Sequence, residues 1–176
     1  MRVASAQLAR SCALPSMTTC PDTDAHGPDQ QAAWEKFETM FSALAAGTHL
    51  VCNAGMFSTG MTVCPEQLLM DAEMFLICRR LLEGIAVNPA TLEQKDVLEI
   101  AHGGMFVGAE STLQFLRSGE HKPSALLKAG SFGEWQARGS KSVFQAATAK
   151  VRELLDRHPL RPEDPQQRKA LEACCR

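Results

Sequence analysis

The sequence lacks the features by which several classes of protein are recognised. No apolar run reaches the roughly 18 residues that would predict a transmembrane helix. The formal net charge is -2 and no long basic block occurs, which argues against nucleic acid as the main partner. The first 14 residues hold two arginines but no apolar stretch leading to a cleavage site, so a signal peptide is not expected.

The cysteines and histidines also lack the spacings of structural or metal sites. The number of cysteines is odd, no CxxC occurs, and the adjacent pair Cys174 and Cys175 has poor geometry for binding one zinc ion. The cysteines are Cys12, Cys20, Cys52, Cys64, Cys78, Cys174 and Cys175, and the histidines are His26, His49, His102, His121 and His158. We therefore expect free thiols in a reducing cytoplasm, a cytoplasmic protein and no metal site.

The sequence does have enough apolar residues for a folded core. Of its 176 residues, 45% are hydrophobic, which argues against general disorder. This length fits one domain or a piece of a larger one.

Helical and strand patterns alternate through the first half of the chain. The predicted elements are a helix over 3–12, a strand over 16–20, a helix over 29–46 that Asp29 caps, a strand over 49–52, and a helix over 65–87 that Pro65 opens. This order predicts an α/β fold in which two parallel strands are joined by the crossover helix 29–46. Because a two-stranded parallel sheet is not stable by itself, the pattern indicates missing neighbours.

The strand signal fades after residue 88, and helices are predicted from there on. They are a helix over 91–101 with a Thr91/Gln94 capping box, a helical turn over 111–117, a helix over 140–158 after a Ser131/Glu134 capping box, and a short helix ending at Cys174. We expect residues 1–88 to form a partial β/α segment and residues 89–176 to form a mainly helical C-terminal extension of the same domain.

Four segments carry a resemblance to a known family. They are Ala4–Arg10 followed by Leu14-Pro15; Thr23-Asp24 with Asp29, Gln31-Ala32 and Glu35-Lys36; Ala54–Met56 with Gly60–Thr62, Glu66–Leu68, Asp71 and Glu73; and Gly103-Gly104 with Phe106, Gly108 and Thr112-Leu113. In order and spacing, from residue 2 to about residue 158, they resemble the C-terminal third of the trimethylamine methyltransferase family.

The resemblance implies a fold and an activity. The fold would be the C-terminal part of a (β/α)8 TIM barrel with a helical extension. Family members move a methyl group from a methylamine or a quaternary amine to the cobalt of a cobalamin, which a separate corrinoid protein carries. Some members carry pyrrolysine upstream of the matched region, and others lack it and are thought to act on betaine-like substrates. On this basis the chain binds no cofactor directly, and its catalytic group lies outside these residues.

The barrel predicts where substrate would bind. Reacting groups in such barrels lie on the loops that follow the strands. Here those loops are 21–28 and 53–64, which supply Asp22, Thr23, Asp24, Asn53 and Thr62. Asp24, Asn53 and Thr62 are the substrate-binding candidates. Asp24 either faces a cationic methylammonium group or only caps a turn.

Glycines are the candidates for close approach to the corrinoid. They are Gly55, Gly60, Gly103 and Gly104, whose missing side chains would let the backbone approach a bulky group. A purely conformational role is the alternative for Gly55 and Gly60. For Asp71 and Glu73, on neighbouring turns of the predicted helix 65–87, a helix-dipole or salt-bridge role is expected.

The chain departs from the family around its glycine pair. Family members commonly have histidine in and just after this segment, where this chain has Met105, Ala109 and Ser111. His102 lies one residue before the glycines and need not replace them. Because the substitutions remove titratable side chains, any corrinoid function of that segment is in doubt.

Three hypotheses follow for function. The chain is a fragment of a methyltransferase that is inactive alone, a subunit whose missing strands come from another polypeptide, or a non-catalytic interaction module that retains a corrinoid-protein docking surface. In the first two, an apolar surface made by Met17, Leu50, Cys52, Leu69 and Phe75 is expected to be exposed, leading to self-association or binding of the missing barrel part. Alternatively, helices 91–101 and 140–158 fold back over it.

Overall fold

A computed structural model describes residues 1–100, 102–119, 123–158 and 165–174, with backbone alone for residues 167, 168 and 170–172. Three positions discussed above, Ala101, His121 and Cys175, lie outside the described residues.

Helices predominate among the described residues, and the strands are short. The helices are α1 (Arg2–Ser11), α2 (Gln30–Ala45), α3 (Pro65–Glu83), α4 (Pro89–Leu92), α5 (Gln94–Ile100), α6 (Glu110–Ser118), α7 (Phe132–Ala137), α8 (Val143–Arg157) and α9 (Pro165–Cys174). The strands are β1 (Met17–Thr19), β2 (Leu50–Cys52), β3 (Met56–Phe57) and β4 (Thr62–Val63).

The strands β1 and β2 pair in parallel, with Met17 opposite Leu50 and Thr19 opposite Cys52. This confirms the predicted parallel pairing, and α2 is the connection between them. Val51 points to the face of the sheet opposite to that of Leu50, and it packs against the core. Met17 and Leu50 remain 65% and 57% exposed. The sheet is therefore packed on one face and open on the other.

The core lies between this sheet and the helices. Cys20, Met40, Ala43 and Cys78 form its buried centre, with Phe75 partly buried against it. The helix α3 packs against both α2 and α8. Of the five residues predicted to form an exposed apolar surface, Met17 and Leu50 are exposed, whereas Cys52, Leu69 and Phe75 are half-buried. Phe75 is covered because it packs against the core of Cys20, Met40, Ala43 and Cys78.

The loop predicted over 53–64 contains structure that the sequence pattern did not indicate. β3 and β4 form a small antiparallel hairpin around a 3-10 turn at Ser58–Gly60. Strands of two residues are too short to show a periodicity in the sequence.

Two helix boundaries differ from the prediction. The helix α3 ends at Glu83 rather than at residue 87, because Gly84 takes a φ of 70°. The predicted helix 91–101 is divided into α4 and α5 by Glu93, which has a φ of 42°. Its capping box is formed by Asn88 and Thr91, not by Thr91 and Gln94. An asparagine whose side chain reaches the backbone amides of the first turn explains the earlier start.

The capping box of Ser131 and Glu134 is confirmed, and it begins α7. A second capping box, of Ser142 and Gln145, begins α8. The helix α8 therefore begins at Val143, three residues after the predicted start at residue 140.

Candidate functional site

Two loops meet at the carboxyl edge of the parallel strands. The first strand-end loop, residues 21–28, follows β1, and the second strand-end loop, residues 53–64, follows β2 and contains the hairpin. Parallel strands bring the loops after them to the same edge of the sheet. Two backbone hydrogen bonds join these loops: the amide of Ser58 donates to the carbonyl oxygen of Ala25 and that of Thr59 to Thr23, each at 2.9 Å.

Side chains reinforce the junction between the two loops. The hydroxyl of Thr59 donates to a carboxylate oxygen of Asp24 at 2.8 Å. The Nδ1 atom of His26 lies 2.7 Å from the hydroxyl oxygen of Ser58. The predicted substrate residue Asp24 is thus exposed at the surface but held in place by the other loop.

The second strand-end loop has a strained backbone. Ser58, Thr59 and Asn53 have φ values of 52°, 55° and 87°, in the left-handed region that non-glycine residues rarely adopt. Each such residue costs on the order of 1–3 kcal/mol and persists only where its surroundings fix it. Here the hydrogen bonds that the Ser58 and Thr59 amides donate to the first strand-end loop fix these two residues.

The first strand-end loop is anchored on α2. A carboxylate oxygen of Glu35 accepts hydrogen bonds from the Thr23 hydroxyl at 2.7 Å and from the Asp24 amide at 2.9 Å. The Thr23 hydrogen bond is the largest of several that lower the pKa of the Glu35 carboxyl below its ordinary value. Glu35 therefore acts as an ionised acceptor that fixes the conformation around Asp24.

A buried carboxylate anchors the second strand-end loop on α3. The Asp71 carboxylate lies 3.0 Å from the Lys36 ammonium, and both side chains are fully buried. Asp71 also accepts a hydrogen bond from the Gly55 amide at 2.7 Å and another from Gln67 at 2.7 Å. The salt-bridge role predicted for Asp71 is confirmed.

Lys36 was not identified from the sequence as part of the site. Its ammonium donates to the Pro21 carbonyl oxygen at 3.3 Å and lies 5.6 Å from the centre of the Phe57 ring. One signal of its burial is present in the sequence. Lys36 stands at helical spacing between Ala32 and Met40, both of which are buried, so the charge interrupts an apolar stripe.

The other predicted residues of these loops have different surroundings. A carboxylate oxygen of Asp22 lies 2.9 Å from the guanidinium group of Arg2, with which it forms an ion pair. Asn53 is half-buried at the start of the second strand-end loop, and Thr62 is exposed in β4. The structure thus brings Asp24, Asn53 and Thr62 into one pair of adjoining loops.

The glycine candidates lie in two places. Gly55 is buried with a φ of 80°, and an added Cβ would lie 2.9 Å from the Cβ of Leu68. These constraints support the conformational alternative for Gly55. Gly60 lies in the 3-10 turn of the hairpin. Gly103 and Gly104 are exposed in the connection after α5.

The three residues that replace family histidines lie in or near that connection. Met105 is 78% exposed. Ala109 is the N-cap residue of α6, and the Ser111 hydroxyl donates to Asp96 of α5. Ser111 therefore has a local structural role, joining α5 to α6.

Glu73, the second predicted acid of α3, accepts hydrogen bonds from the Ser124 hydroxyl and, at 3.2 Å, from the Ala125 amide. These two hydrogen bonds hold the segment before α7 against α3.

Neither a metal cluster nor a membrane helix occurs in the described part of the chain. No group of three or more His, Cys, Asp or Glu side chains is placed there to hold a metal ion. Across the same residues, no helix is both long enough and apolar enough to cross a membrane.

Comparison with known proteins shows the family to which the chain belongs. The family model for trimethylamine methyltransferase (MTTB) matches residues 1–176. The chain is 33% identical over 159 residues to trimethylamine methyltransferase MttB of Methanosarcina barkeri, covering 90% of this chain and 32% of the relative. It is 34% identical over 161 residues to the MttB1 proteins of Methanosarcina mazei and Methanosarcina acetivorans, with the same coverage. The chain therefore spans about a third of the length of these relatives. A match over the whole chain identifies it as a member of the trimethylamine methyltransferase family.

Proposed function

We propose that the chain is the C-terminal part of a (β/α)8-barrel methyltransferase that moves a methyl group from trimethylamine, or a related quaternary amine, to a corrinoid protein. The observation that carries this proposal is the junction of the two strand-end loops at the carboxyl edge of parallel strands. Barrel enzymes place their active sites at this edge.

The open face of the sheet supports the barrel. In a (β/α)8 barrel, one face of every strand packs against the outer helices and the other contributes to the layers of the interior. Val51 packs toward the helices, and Met17 and Leu50 are exposed on the opposite face. Further strands that close the sheet would bury both side chains.

The charge at the junction suits a cationic substrate. A methylated ammonium group offers few or no N–H donors, so a carboxylate attracts it mainly through charge. Asp24 provides an exposed carboxylate that Thr59 orients, and Asn53 and Thr62 provide polar groups on the neighbouring loop. The corrinoid supplies the cobalt that accepts the methyl group. The role of these residues is to bind and orient the amine.

The chain alone is proposed to be inactive. Methyl transfer requires the amine and the cobalt to be held together, and such positioning accounts for a large part of the barrier in group transfer. A pair of strands cannot enclose a site that does this.

A docking module without catalysis is the second candidate. The exposed apolar residues beside Gly104 favour it, with Met105 at 78% and Val107 at 73% exposure.

Reconstitution tests the proposal. The purified chain is mixed with the remaining two thirds of the Methanosarcina barkeri relative, a reduced corrinoid protein and trimethylamine, and methylation of cobalt is followed by absorbance. Transfer is expected in the mixture and not with the chain alone.

Asp24→Asn is expected to raise KM about tenfold by removing one charge contact. The matched control Asp29→Asn, which keeps a capping side chain, is expected to leave KM unchanged.

The outcomes separate the two candidate functions. Transfer by the chain alone would contradict its proposed inactivity. A chain that binds the corrinoid protein but supports no transfer in the mixture would favour the docking module.

A further inference from the structure

The ion pair of Lys36 and Asp71 is the most deeply buried charged group in the described part of the chain, and it lies beneath the proposed substrate site. Both side chains have 0% exposure. Transferring two charges from water into a protein interior is costly, and apolar residues of the same volume often give equal or greater stability. Stability alone therefore does not account for this pair.

The contacts of the pair point to a different role. Lys36 donates to the carbonyl oxygen of Pro21, at the base of the first strand-end loop. Asp71 accepts from the amide of Gly55, at the base of the second. Each charged group thus holds the backbone of a different loop, and the 3.0 Å contact between the charges joins the two loop bases.

The loop tips are joined as well, so the contacts form a closed ring. From Asp71 the ring passes through Gly55 along the second strand-end loop to Thr59, whose hydroxyl donates to Asp24 at 2.8 Å. It returns along the first strand-end loop to Pro21 and Lys36. A ring closed at both ends leaves the loops little freedom to move past each other.

We propose that Lys36 and Asp71 are positioning residues, which fix the two strand-end loops relative to each other and so hold Asp24 in place for the substrate. This inference deepens the proposed function and rests on it only for the identity of the substrate. The effect on loop geometry is a property of this chain alone.

Amide hydrogen exchange of the purified chain, followed by NMR, tests the proposal. The reporters are the amides of Ser58 and Thr59, which donate across the loop junction. The reference is the amide of Cys20, which donates to the carbonyl oxygen of Cys52 at 2.7 Å between the ends of β1 and β2. The variants are Lys36→Met and Asp71→Asn, singly and together.

The control is Ala147→Gly in α8, a fully buried position distant in sequence from both loops. It lowers global stability through a lower helix propensity and the loss of one buried methyl group. In the Lys36 and Asp71 variants, exchange of the reporter amides is expected to rise about tenfold or more relative to the reference. In Ala147→Gly, reporters and reference are expected to change together.

The double variant can be measured even if a single variant fails to fold. It leaves no charge unpaired, so it is expected to fold even where Lys36→Met does not. A folded double variant whose reporter amides exchange as in the wild type would overturn the proposal, as would a reporter change no larger than that of Ala147→Gly. Since exchange requires no methyl transfer, failure of this proposal is distinct from failure of the proposed function.

Discussion

At the residue scale, the buried ion pair predicts a large and non-additive effect on stability. Lys36→Met leaves the Asp71 carboxylate buried without its counter-charge, since both side chains are fully buried. We expect the free energy of unfolding to fall by about 3–5 kcal/mol. Lys36→Met combined with Asp71→Leu removes both charges, so its loss should be smaller than that of Lys36→Met alone. Urea unfolding of these two variants and of Asp71→Leu gives the three losses, and single losses that add up to that of the double variant would contradict the account.

Cys20 predicts how stability depends on alkaline pH. Burial raises the pKa of its thiol from the usual 9.0 to about 11. Between these two values the unfolded chain releases a proton that the folded chain retains, so the free energy of unfolding should fall as pH rises through this window. Cys20→Ala should show a shallower fall over the same range. Equal slopes for Cys20→Ala and the wild type in urea unfolding from pH 8 to 11 would contradict this prediction.

The sequence identified some of the important residues and not others, for physical reasons. Asp29 and Asp71 were found because helix caps and the charge pattern of a helix are local features. Lys36 was missed because lysine is rarely fully buried, and its partner Asp71 is distant in the sequence. The strained backbone of Thr59 was missed because it is held by a hydrogen bond to the carbonyl oxygen of Thr23, which is distant in the sequence.

At the scale of single elements, α2 depends on its first residue for stability. The Asp29 carboxylate accepts from the Ala32 amide at 2.9 Å, as an N-cap residue does. Asp29→Ala should lower the free energy of unfolding by about 1 kcal/mol. Asp29→Asn keeps an acceptor and serves as the control. An alanine variant as stable as the asparagine variant in urea unfolding would show that the cap does not stabilise α2.

The larger elements of the first half were predicted closely, and the smaller ones were not. β1, α2 and β2 lie within one residue of their predicted bounds, because apolar spacing and the cap residue Asp29 define them locally. The hairpin of β3 and β4 and the division at Glu93 were not predicted. Both depend on individual backbone conformations, which leave no periodic pattern in the sequence.

At the scale of the whole molecule, the open sheet face predicts self-association of the purified chain. Met17 and Leu50 lie opposite each other there and are more than half exposed. Exposed apolar patches of this kind drive association between proteins. Met17→Lys combined with Leu50→Lys should shift the chain toward the monomer in sedimentation velocity. The control is Leu155→Lys, an exposed apolar position of α8. An unchanged distribution in the double variant, or an equal shift in the control, would contradict the prediction.

The parallel pairing of β1 and β2 followed from the sequence, whereas the closed barrel remains a proposal. Alternation of strands and helices fixes the direction of neighbouring strands because the crossover connection is local. Closure of a sheet depends on strands distant in sequence. The relatives are about three times as long as this chain, which spans 32% of the Methanosarcina barkeri protein.

Oxidative footprinting of Met17 tests most directly whether the chain forms part of a closed barrel. The purified chain, at a concentration at which sedimentation shows it to be a monomer, is oxidised alone and in a mixture with the remaining two thirds of the Methanosarcina barkeri relative, and modification is measured by mass spectrometry. Met17, 65% exposed on the open sheet face, should lose most of its reactivity in the mixture because barrel interiors are filled by side chains. Trp34, 76% exposed on α2, should remain reactive. Equal reactivity of Met17 in both samples, with the two polypeptides shown to be bound, would contradict the barrel.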